Sequence, residues 1–339
     1  MIPDNMTEQI QQCFQLRRED PTLLACDAYR LFNGFFEGLP GLVIDRYATA
    51  IVISNHSRQP ESLEGTIDQI VKFNLTEVPW VKSILLKTRH PNDPEKRKGR
   101  LLHGQELPQE ISENGIRYAI DLRLNQDDSF YPDTRNLRGW LALNSQGKSI
   151  LNCFAYTGSL GIAALAGGAT ALIQTDLNSE ALALAEKSYD LNNFIQGMTV
   201  LKRDFFSAAN ALKKSDKLFD TVILDSPFFS STRYGKVDLQ QKHSQLINKV
   251  RPLVAHEGHL IVINNALYVP GKQIMDEINE MSKSGYVSLA SIIEIPADIT
   301  GYPATIQAQP PADPAPFNHP TKISILRVTR KDKAPASVN

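Results

Sequence analysis

The sequence predicts an α/β protein in which a small α+β domain precedes a larger domain built on an open, mixed sheet. Three observations support this prediction. Short apolar runs alternate with segments of helical spacing from residue 149 onward. A glycine turn follows the first of these runs, and three later runs each end in an aspartate.

The first strand, turn and helix of the larger domain cover Ser149 to Gly168. An apolar run short enough for a buried strand breaks at Tyr156-Thr157-Gly158, and small and aliphatic residues continue at helical spacing. Gly158 permits a backbone geometry that a side chain would forbid, and the free N–H groups of the next helix attract an electronegative group. Taken alone, this turn fits a purely structural helix start equally well.

Asp176, Asp204 and Asp225 follow the next three predicted strands. Asp176 lies roughly 20 residues beyond the glycine turn, where a βαβ nucleotide site places an acid on the ribose hydroxyls. A lone aspartate is more often a turn or helix-cap residue. Three in series predict one crevice lined by carboxylates, because ligands of open α/β sheets lie outside the carboxyl ends of the strands.

The remaining elements are predicted from periodicity and turn signals. Helices are expected near residues 6–18, 61–73, 136–141, 178–193, 239–254 and 271–283, and further strands at 42–44, 50–54, 81–87, 116–122, 259–263, 289–295 and 322–328. A long proline-rich loop precedes the last strand. The predicted organisation is a helical segment (1–27), a small α+β domain (28–125), the larger domain (126–330) and a disordered tail (331–339).

Composition is that of an ordinary globular protein, with 42% hydrophobic and 22% charged residues among 339. No apolar run approaches the ~20 residues that span a bilayer, and no signal peptide is evident, so we expect a cytoplasmic protein without membrane contact. Cys13, Cys26 and Cys153 form neither a disulfide framework nor a zinc pattern, and we expect no metal.

Charge gives only a local indication of a partner. The net charge of −1 carries no nucleic-acid signature, but six basic and two acidic residues between Lys87 and Arg100 give a local charge of 6 − 2 = +4. Lys87, Arg89 and Arg97 are therefore candidates for contacts with phosphates. A solvated loop that serves only solubility is an equally good reading.

The motifs are specific enough to indicate a family. They are Arg30-Leu-Phe-Asn-Gly34, Pro40-Gly-Leu-Val-Ile-Asp-Arg-Tyr47, Phe130-Tyr-Pro-Asp-Thr-Arg-Asn136, Asn152-Cys-Phe-Ala-Tyr-Thr-Gly158, Asp176-Leu-Asn178, Arg203-Asp-Phe-Phe206 and Asp225-Ser-Pro227. With them the chain resembles class I S-adenosylmethionine-dependent methyltransferases, and more narrowly the bacterial 23S rRNA methyltransferase family of 5-methylcytosine and 7-methylguanine enzymes. The resemblance implies a Rossmann-like seven-stranded sheet, S-adenosylmethionine as cofactor and RNA, in particular rRNA, as substrate.

The resemblance also implies the cofactor-binding residues. Asp176 would hold the ribose hydroxyls, Asp204 the adenine amino group, and Phe205 an adenine edge or face. The methionine end would lie at the turn Phe154-Ala155-Tyr156-Thr157-Gly158, with Asp133 and Arg135 nearby. Asn152, Leu177, Asn178 and Asp225 complete the set. Helix capping by Asp133 and a surface ion pair of Arg135 are the structural alternatives.

Asp225, Pro227 and Phe228 lie where the family's methyl group emerges, and this arrangement suits an exocyclic amine with a stacked ring. Ser226 stands where base-amine methyltransferases more often have proline, which weakens that particular mechanism.

Asn264 and Asn265 follow strand 259–263, where the cytosine branch carries its nucleophilic cysteine. Covalent cytosine chemistry requires that thiolate. We therefore expect direct transfer to a base nitrogen, with the two amides orienting the base or merely ending the strand.

Two further expectations concern RNA. Tyr302 and Phe317, in the proline-rich loop, are candidates for stacking on a base. In the family that the chain resembles, an RNA-binding PUA domain precedes the small domain, whereas fewer than thirty residues precede it here. We expect this domain to be missing.

Two other classes of function stay open. One is a methyltransferase acting on a protein or a small molecule, which the near-neutral charge permits. The other is a non-catalytic RNA-binding protein that keeps the fold. A homodimer is also left open.

Overall fold

The structure is a computed structural model that describes residues 4–89, 97–232, 235–238 and 243–332. Within these ranges its helices are α1 (Asp4–Glu19), α2 (Gly34–Glu37), α3 (Glu64–Glu77), α4 (Arg135–Asn144), α5 (Ser159–Ala166), α6 (Ser179–Leu191), α7 (Phe205–Lys214), α8 (His243–Val250), α9 (Gly271–Ser282) and α10 (Ala297–Thr300).

The strands of the described residues are given next in chain order. They are β1 (Ala28–Asn33), β2 (Leu42–Tyr47), β3 (Ala50–Asn55), β4 (Ser83–Thr88), β5 (Arg100–His103), β6 (Glu110–Glu113), β7 (Ile116–Ala119), β8 (Ser149–Cys153), β9 (Ala171–Asp176), β10 (Gly197–Lys202), β11 (Phe219–Asp225), β12 (Phe229–Thr232), β13 (Gly235–Asp238), β14 (Val254–Asn264), β15 (Val287–Ile293) and β16 (Lys322–Val328).

Two compact units make up the chain. Residues 1–133 with 296–309 form the first, and residues 134–295 with 310–339 form the second. The predicted boundary at residue 125 therefore lies several residues before the observed one, and α1 belongs to the first unit. Most of the predicted tail, residues 333–339, lies outside the described residues.

The first unit contains a five-stranded sheet in the order β1-β2-β3-β4-β5, in which only β3 and β4 run parallel. Strand β3 is buried along its whole length. A hairpin of β6 and β7 is joined by Asn114 and Gly115, both with positive φ, as the Asn-Gly signal predicted. Segment 296–309 returns to this unit, where Thr305 Oγ1 donates to Glu37 Oε1 over 2.5 Å.

The second unit contains a seven-stranded sheet in the order β10-β9-β8-β11-β14-β16-β15. Its strands are parallel except for β16, which runs antiparallel to both neighbours. The predicted α/β class with a seven-stranded mixed sheet is confirmed. Apolar side chains of β8, β11 and β14 form the centre of the core, because central strands are covered on both faces.

Three elements of the second unit depart from the predictions. Helix α7 follows Asp204 directly, and the hairpin β12–β13 follows Phe228. The helix predicted at 239–254 is described only from His243, and it ends at Val250. No helix within the described residues is long and apolar enough to cross a bilayer.

Candidate functional site

The candidate site lies in the second unit, at the carboxyl ends of its parallel strands. Strands β9, β8, β11 and β14 end at Asp176, Cys153, Asp225 and Asn264. The chain leaves β8 toward β9 on one side, while β11 lies on the other side of β8. Such a switch point opens the crevice in which open α/β sheets bind ligands.

The turn after β8 is strained. Phe154 and Tyr156 have φ angles of 56° and 51°, and Gly158 has a φ of 76°. The left-handed conformation costs a residue other than glycine about 1–3 kcal/mol, and such residues collect at functional sites. The positive φ of Gly158 agrees with the predicted glycine turn.

Hydrogen bonds from β9 hold this turn in place. The N–H of Ala155 donates to the carbonyl oxygen of Thr175 over 2.9 Å, and the N–H of Tyr156 donates to Asp176 Oδ2 over 2.8 Å. The conformation of the turn is therefore set by the neighbouring strand.

Gly158 and Gly161 lie against β9 too closely for a side chain. A Cβ at Gly158 would lie 2.5 Å from Gln174 Nε2 and 2.6 Å from the Cβ of Ala185, and one at Gly161 would lie 2.7 Å from Gln174 Oε1. Gln174 also accepts a 3.1 Å hydrogen bond from Asn152 Nδ2. The buried Oδ1 of Asn152 has no hydrogen-bond partner within the described residues, so an acceptor at the end of β8 is left for a ligand.

Asp176 is oriented by the backbone on both sides. Its Oδ2 accepts from Tyr156, and its Oδ1 accepts the N–H of Asn178 over 2.9 Å. Each carboxylate oxygen has two lone pairs, so both can still accept from hydroxyl donors. Asn178 caps α6 through the N–H groups of Glu180 and Ala181, and Leu177 between them is 54% exposed.

Asp204 is buried and caps α7. Its Oδ1 accepts from the N–H groups of Phe206 and Ser207, at 2.9 and 3.2 Å. The adjoining Phe205 is only 4% exposed, and its ring stacks on Phe154 with centroids 4.6 Å apart. Phe205, the residue predicted to contact adenine, thus packs in the core. Phe154 is more exposed than Phe205.

The ends of β11 and β14 carry the predicted substrate residues. Asp225 is partly exposed, Pro227 is exposed and Phe228 is 49% exposed. Between them Ser226 is buried, and its Oγ has no hydrogen-bond partner in the described part of the chain.

Asn264 is 1% exposed and accepts the N–H of Ala266 at its Oδ1 over 3.0 Å, whereas Asn265 is exposed. The Nδ2 of Asn264 lacks a hydrogen-bond partner among the described residues. Strands β11 and β14 are adjacent, with Asp225 opposite Ile263. The structure therefore brings Asp225, Phe228 and Asn264 to one edge.

Asp133 and Arg135 fall on either side of the boundary between the units. Asp133 ends the main segment of the first unit, and Arg135, which is 5% exposed, begins α4 in the second. The burial of Arg135 excludes the surface ion pair considered from the sequence.

Lys87 corrects an expectation. Its side chain is fully buried, and its Nζ lies 2.7 Å from Asp128 Oδ1 and donates to the carbonyl oxygen of Asp127 over 2.8 Å. Arg89 is partly buried and pairs with Asp127 over 2.7 Å. These two residues hold segment 125–128 to the end of β4, and Lys87 cannot reach a phosphate. Arg97 is exposed, and residues 90–96 lie outside the described residues.

The proline-rich loop also departs from expectation. Tyr302 donates its hydroxyl proton to Asp20 Oδ2 over 2.5 Å, and the guanidinium carbon of Arg17 lies 5.0 Å from its ring centroid, all within the first unit. Phe317 is 5% exposed in the core of the second unit. The two rings belong to different units. Phe317 is packed in a core and is not available to a base, whereas Tyr302 is partly exposed and its stacking on a base stays a prediction.

Two polar residues of the site escaped the sequence reasoning. Gln174 bridges Asn152 and the glycine turn, and Lys322 lies opposite Asn264 in the ladder between β16 and β14. Gln174 directly follows Leu172 and Ile173 in β9, and Lys322 directly precedes Ile323 in β16. A polar residue that adjoins buried apolar positions was an available signal for a buried polar contact.

Comparisons with known proteins identify the family to which this chain belongs. A family model described as S-adenosylmethionine-dependent methyltransferase matches residues 36–300. Curated relatives named ribosomal RNA large subunit methyltransferase I include that of Aeromonas salmonicida, 32% identical over 60% of this chain and 52% of the relative. That of Shewanella frigidimarina is 32% identical over 65% of this chain and 58% of the relative. The chain spans somewhat more than half the length of these relatives.

Solved structures show the same fold. A methyltransferase complexed with SAH aligns with a TM-score of 0.81 and 23% identity, over 97% of this chain and 83% of that chain. A methyltransferase from Streptococcus mutans aligns with a TM-score of 0.80 and 22% identity over the same shares of the two chains.

Proposed function

We propose, from the premise that the chain belongs to the S-adenosylmethionine-dependent methyltransferase family, that it transfers a methyl group to a nitrogen of an RNA base. The cofactor of this family is S-adenosylmethionine. Its sulfonium supplies a methyl group that is already activated for transfer. The chain then has to bind the cofactor, align a nucleophile and exclude water.

The residues at the end of β8 and β9 fit this cofactor. Asp176 offers a fixed pair of carboxylate oxygens for the ribose hydroxyls, and Asn152 offers an unpaired acceptor. In the turn from Phe154 to Gly158, Gly158 carries no side chain and leaves room for close backbone approach, and the turn takes the methionine end with Arg135 as a carboxylate partner. Leu177 and Phe154 supply apolar surface for the adenine, and Asp204 remains the proposed acceptor for its amino group.

One observation supports the chemistry more than any other. Asp225, the buried Ser226 hydroxyl and the unpaired amide nitrogen of Asn264 lie at adjoining strand ends beside the exposed ring of Phe228. Acceptors and donors beside an aromatic ring are what a base needs when it is held outside a helix and oriented by its edge. We assign Asp225 and Asn264 to orient the base and Phe228 to stack on it.

A nitrogen is favoured over cytosine carbon 5 because no reactive thiol is available. The sequence contains three cysteines, none of them after Cys153. Burial raises the pKa of the Cys153 thiol to about 12. The Cys153 thiol therefore stays protonated at neutral pH and is a poor nucleophile for a cytosine ring.

RNA as the substrate class is supported by the names of the curated relatives and by the exposed Arg97. The test is transfer of a labelled methyl group from S-adenosylmethionine into RNA and protein from cells lacking the gene, followed by nucleoside analysis. Label in one N-methylated base is expected. Label in 5-methylcytosine would overturn the nitrogen assignment, and label in protein alone would overturn the RNA assignment. Cofactor binding without label in either fraction would favour a small-molecule substrate or a non-catalytic role.

A further inference from the structure

The segment that follows β14 forms a turn with two exposed apolar side chains. Ala266 and Val269 point inward and are 0% and 3% exposed, whereas Leu267 and Tyr268 are 44% and 71% exposed. The N–H of Val269 donates to the carbonyl oxygen of Ala266 over 3.2 Å, which closes a four-residue β-turn. We call residues 266–269 the Tyr268 turn.

Buried groups hold the Tyr268 turn from both sides. Asn264 Oδ1 accepts the N–H of Ala266 over 3.0 Å, and Lys322 Nζ donates to the carbonyl oxygen of Ala266 over 2.9 Å. The same ammonium group donates to the carbonyl oxygen of Pro320 over 2.5 Å. Lys322 is 1% exposed. Burial of a lysine whose ammonium group donates to backbone carbonyl oxygens costs free energy. Such a lysine therefore marks a conformation that the protein maintains.

The exit of the turn is equally constrained. The N–H of Gly271 donates to the carbonyl oxygen of Asp313 over 2.9 Å. A Cβ at Gly271 would lie 1.8 Å from the carbonyl oxygen of Pro314, so the chain passes directly against this loop. The turn therefore presents Tyr268 from a rigid support.

The Tyr268 turn follows the strand that ends at Asn264, one of the residues proposed to orient the target base. It extends from the end of β14, and the exposed Phe228 and Phe229 extend from the end of the adjacent β11. An exposed aromatic ring that is rigidly presented beside a base pocket is suited to stacking on an unpaired base, which is worth about 1–3 kcal/mol per base.

We propose that Tyr268 contacts the RNA substrate by stacking on an unpaired base that neighbours the methylated one, and that Lys322 is the positioning residue of the Tyr268 turn. The inference rests on the RNA methyl transfer proposed above and deepens it. It assigns recognition of a flanking nucleotide to a residue outside the cofactor site and outside Asp225, Phe228 and Asn264.

The first test reports the contact without requiring methyl transfer. In a Tyr268→Trp variant, an added short single-stranded oligoadenylate should quench the new indole fluorescence, because stacked bases quench tryptophan. The control is Ile195→Trp, since Ile195 is 94% exposed and precedes β10 at the opposite edge of the sheet. Equal quenching in the two variants would overturn the proposal.

The second test uses transfer kinetics on deproteinised large-subunit rRNA from cells lacking the gene. Tyr268→Ser should lower kcat/KM for this RNA by roughly 5- to 150-fold, chiefly through KM, while Tyr268→Phe stays near wild type. The Kd for S-adenosylhomocysteine should not change. An unaltered KM in Tyr268→Ser would refute the contact while leaving RNA methylation standing. Selective quenching at position 268 without any labelled RNA would keep the contact and refute the proposed function.

The positioning role of Lys322 is tested by non-additivity. Lys322→Met should raise KM for the rRNA, Lys322→Arg should recover part of the loss, and Lys322→Met should have no added effect in a Tyr268→Ser background. If Lys322→Met does not fold, the same test of additivity is made with Lys322→Arg, alone and in the Tyr268→Ser background. Full additivity would remove Lys322 from this role. A change in oligomeric state of Tyr268→Ser with unchanged RNA kinetics would instead identify the turn as a contact between copies of the chain.

Discussion

The backbone N–H of Tyr156 and the carboxylate of Asp176 are joined by a 2.8 Å hydrogen bond between the strained turn after β8 and the end of β9. Tyr156 has a φ of 51°, and Asp176 is the residue proposed to hold the cofactor's ribose. One carboxylate therefore fixes the turn, and in the proposed site the same carboxylate also receives the ribose hydroxyls. Loss of this group should disturb both parts of the cofactor site.

Asp176→Ala is expected to weaken binding of S-adenosylhomocysteine by roughly 10- to 150-fold, because hydrogen bonds to a charged group contribute about 1.5–3 kcal/mol. Isothermal titration calorimetry measures this Kd. Asp190→Ala is the matched control, since Asp190 is an exposed acid on α6. An unchanged Kd for Asp176→Ala would contradict the ribose assignment.

Gly158→Ala should both destabilise the protein and weaken its binding of the cofactor. The new Cβ would meet Gln174 Nε2 at 2.5 Å in a backbone with a φ of 76°, and this conformation alone costs alanine about 1 kcal/mol or more. Gly139→Ala is the control. Gly139 lies inside α4 with no atom within 4 Å of an added Cβ, so alanine there should stabilise by about 0.5–1 kcal/mol.

Thermal unfolding followed by circular dichroism measures the expected loss of stability in Gly158→Ala and the expected gain in Gly139→Ala. Calorimetry measures the Kd of the cofactor. The assignment of Gly158 to the cofactor turn would not survive a Gly158→Ala variant that binds the cofactor as the parent does.

Much of the second unit followed from local rules. The apolar runs of β8, β9, β11 and β14, the glycine turn and the Asn178 cap are all short-range patterns, and the structure contains each of them. Asp176 and Asp225, which end β9 and β11, could be placed at one edge because parallel strands share their direction.

Long-range packing explains the misses. Lys87 is buried because Asp128 and two backbone carbonyls from nearly 40 residues away surround its ammonium group. Phe317 packs in a core assembled from distant strands. A charged residue near the end of a strand, or an aromatic residue in a loop, gives no local sign of such partners, and the sequence therefore suggested contact with RNA for both.

Asp225→Asn should abolish methyl transfer while leaving the cofactor Kd within about twofold, because the lost charge lies at the proposed base and the backbone of β11 is kept. Asp216→Asn is the matched control. Asp216 is exposed and precedes β11 at the other end of the strand, and asparagine tolerates its φ of 52°. Filter-binding of labelled RNA gives the rate. Turnover at the parental level in Asp225→Asn would remove this residue from the chemistry.

Thiol chemistry should be dispensable. Burial raises the pKa of Cys153 to about 12, and burial with the Glu37 carboxylate raises the pKa of Cys13 to about 12. Both thiols thus stay protonated at neutral pH, since the fraction of thiolate falls tenfold for each unit below the pKa. All three cysteines, including Cys26, are buried, so the native protein should react with iodoacetamide only after unfolding. Cys153→Ala should retain methyl transfer. If this variant lost transfer, and the parent formed a covalent adduct with RNA that could be trapped, methylation of cytosine carbon 5 would become the better assignment.

Lys322 should give the protein a distinct dependence of stability on pH. Burial lowers the pKa of this lysine from 10.5 to about 8. Between these values the unfolded chain binds a proton that the folded protein has released, so stability rises with pH across this window and is lost as pH falls through about 8. Urea unfolding of the parent and of Lys322→Met at about pH 7.5 and about pH 9.5 measures the effect. The parent should gain more stability than the variant, whereas Lys272→Met, which removes an exposed lysine from α9, should follow the parent. Parallel pH profiles for the parent and Lys322→Met would mean that the ammonium group is not buried as the contacts of the Tyr268 turn require.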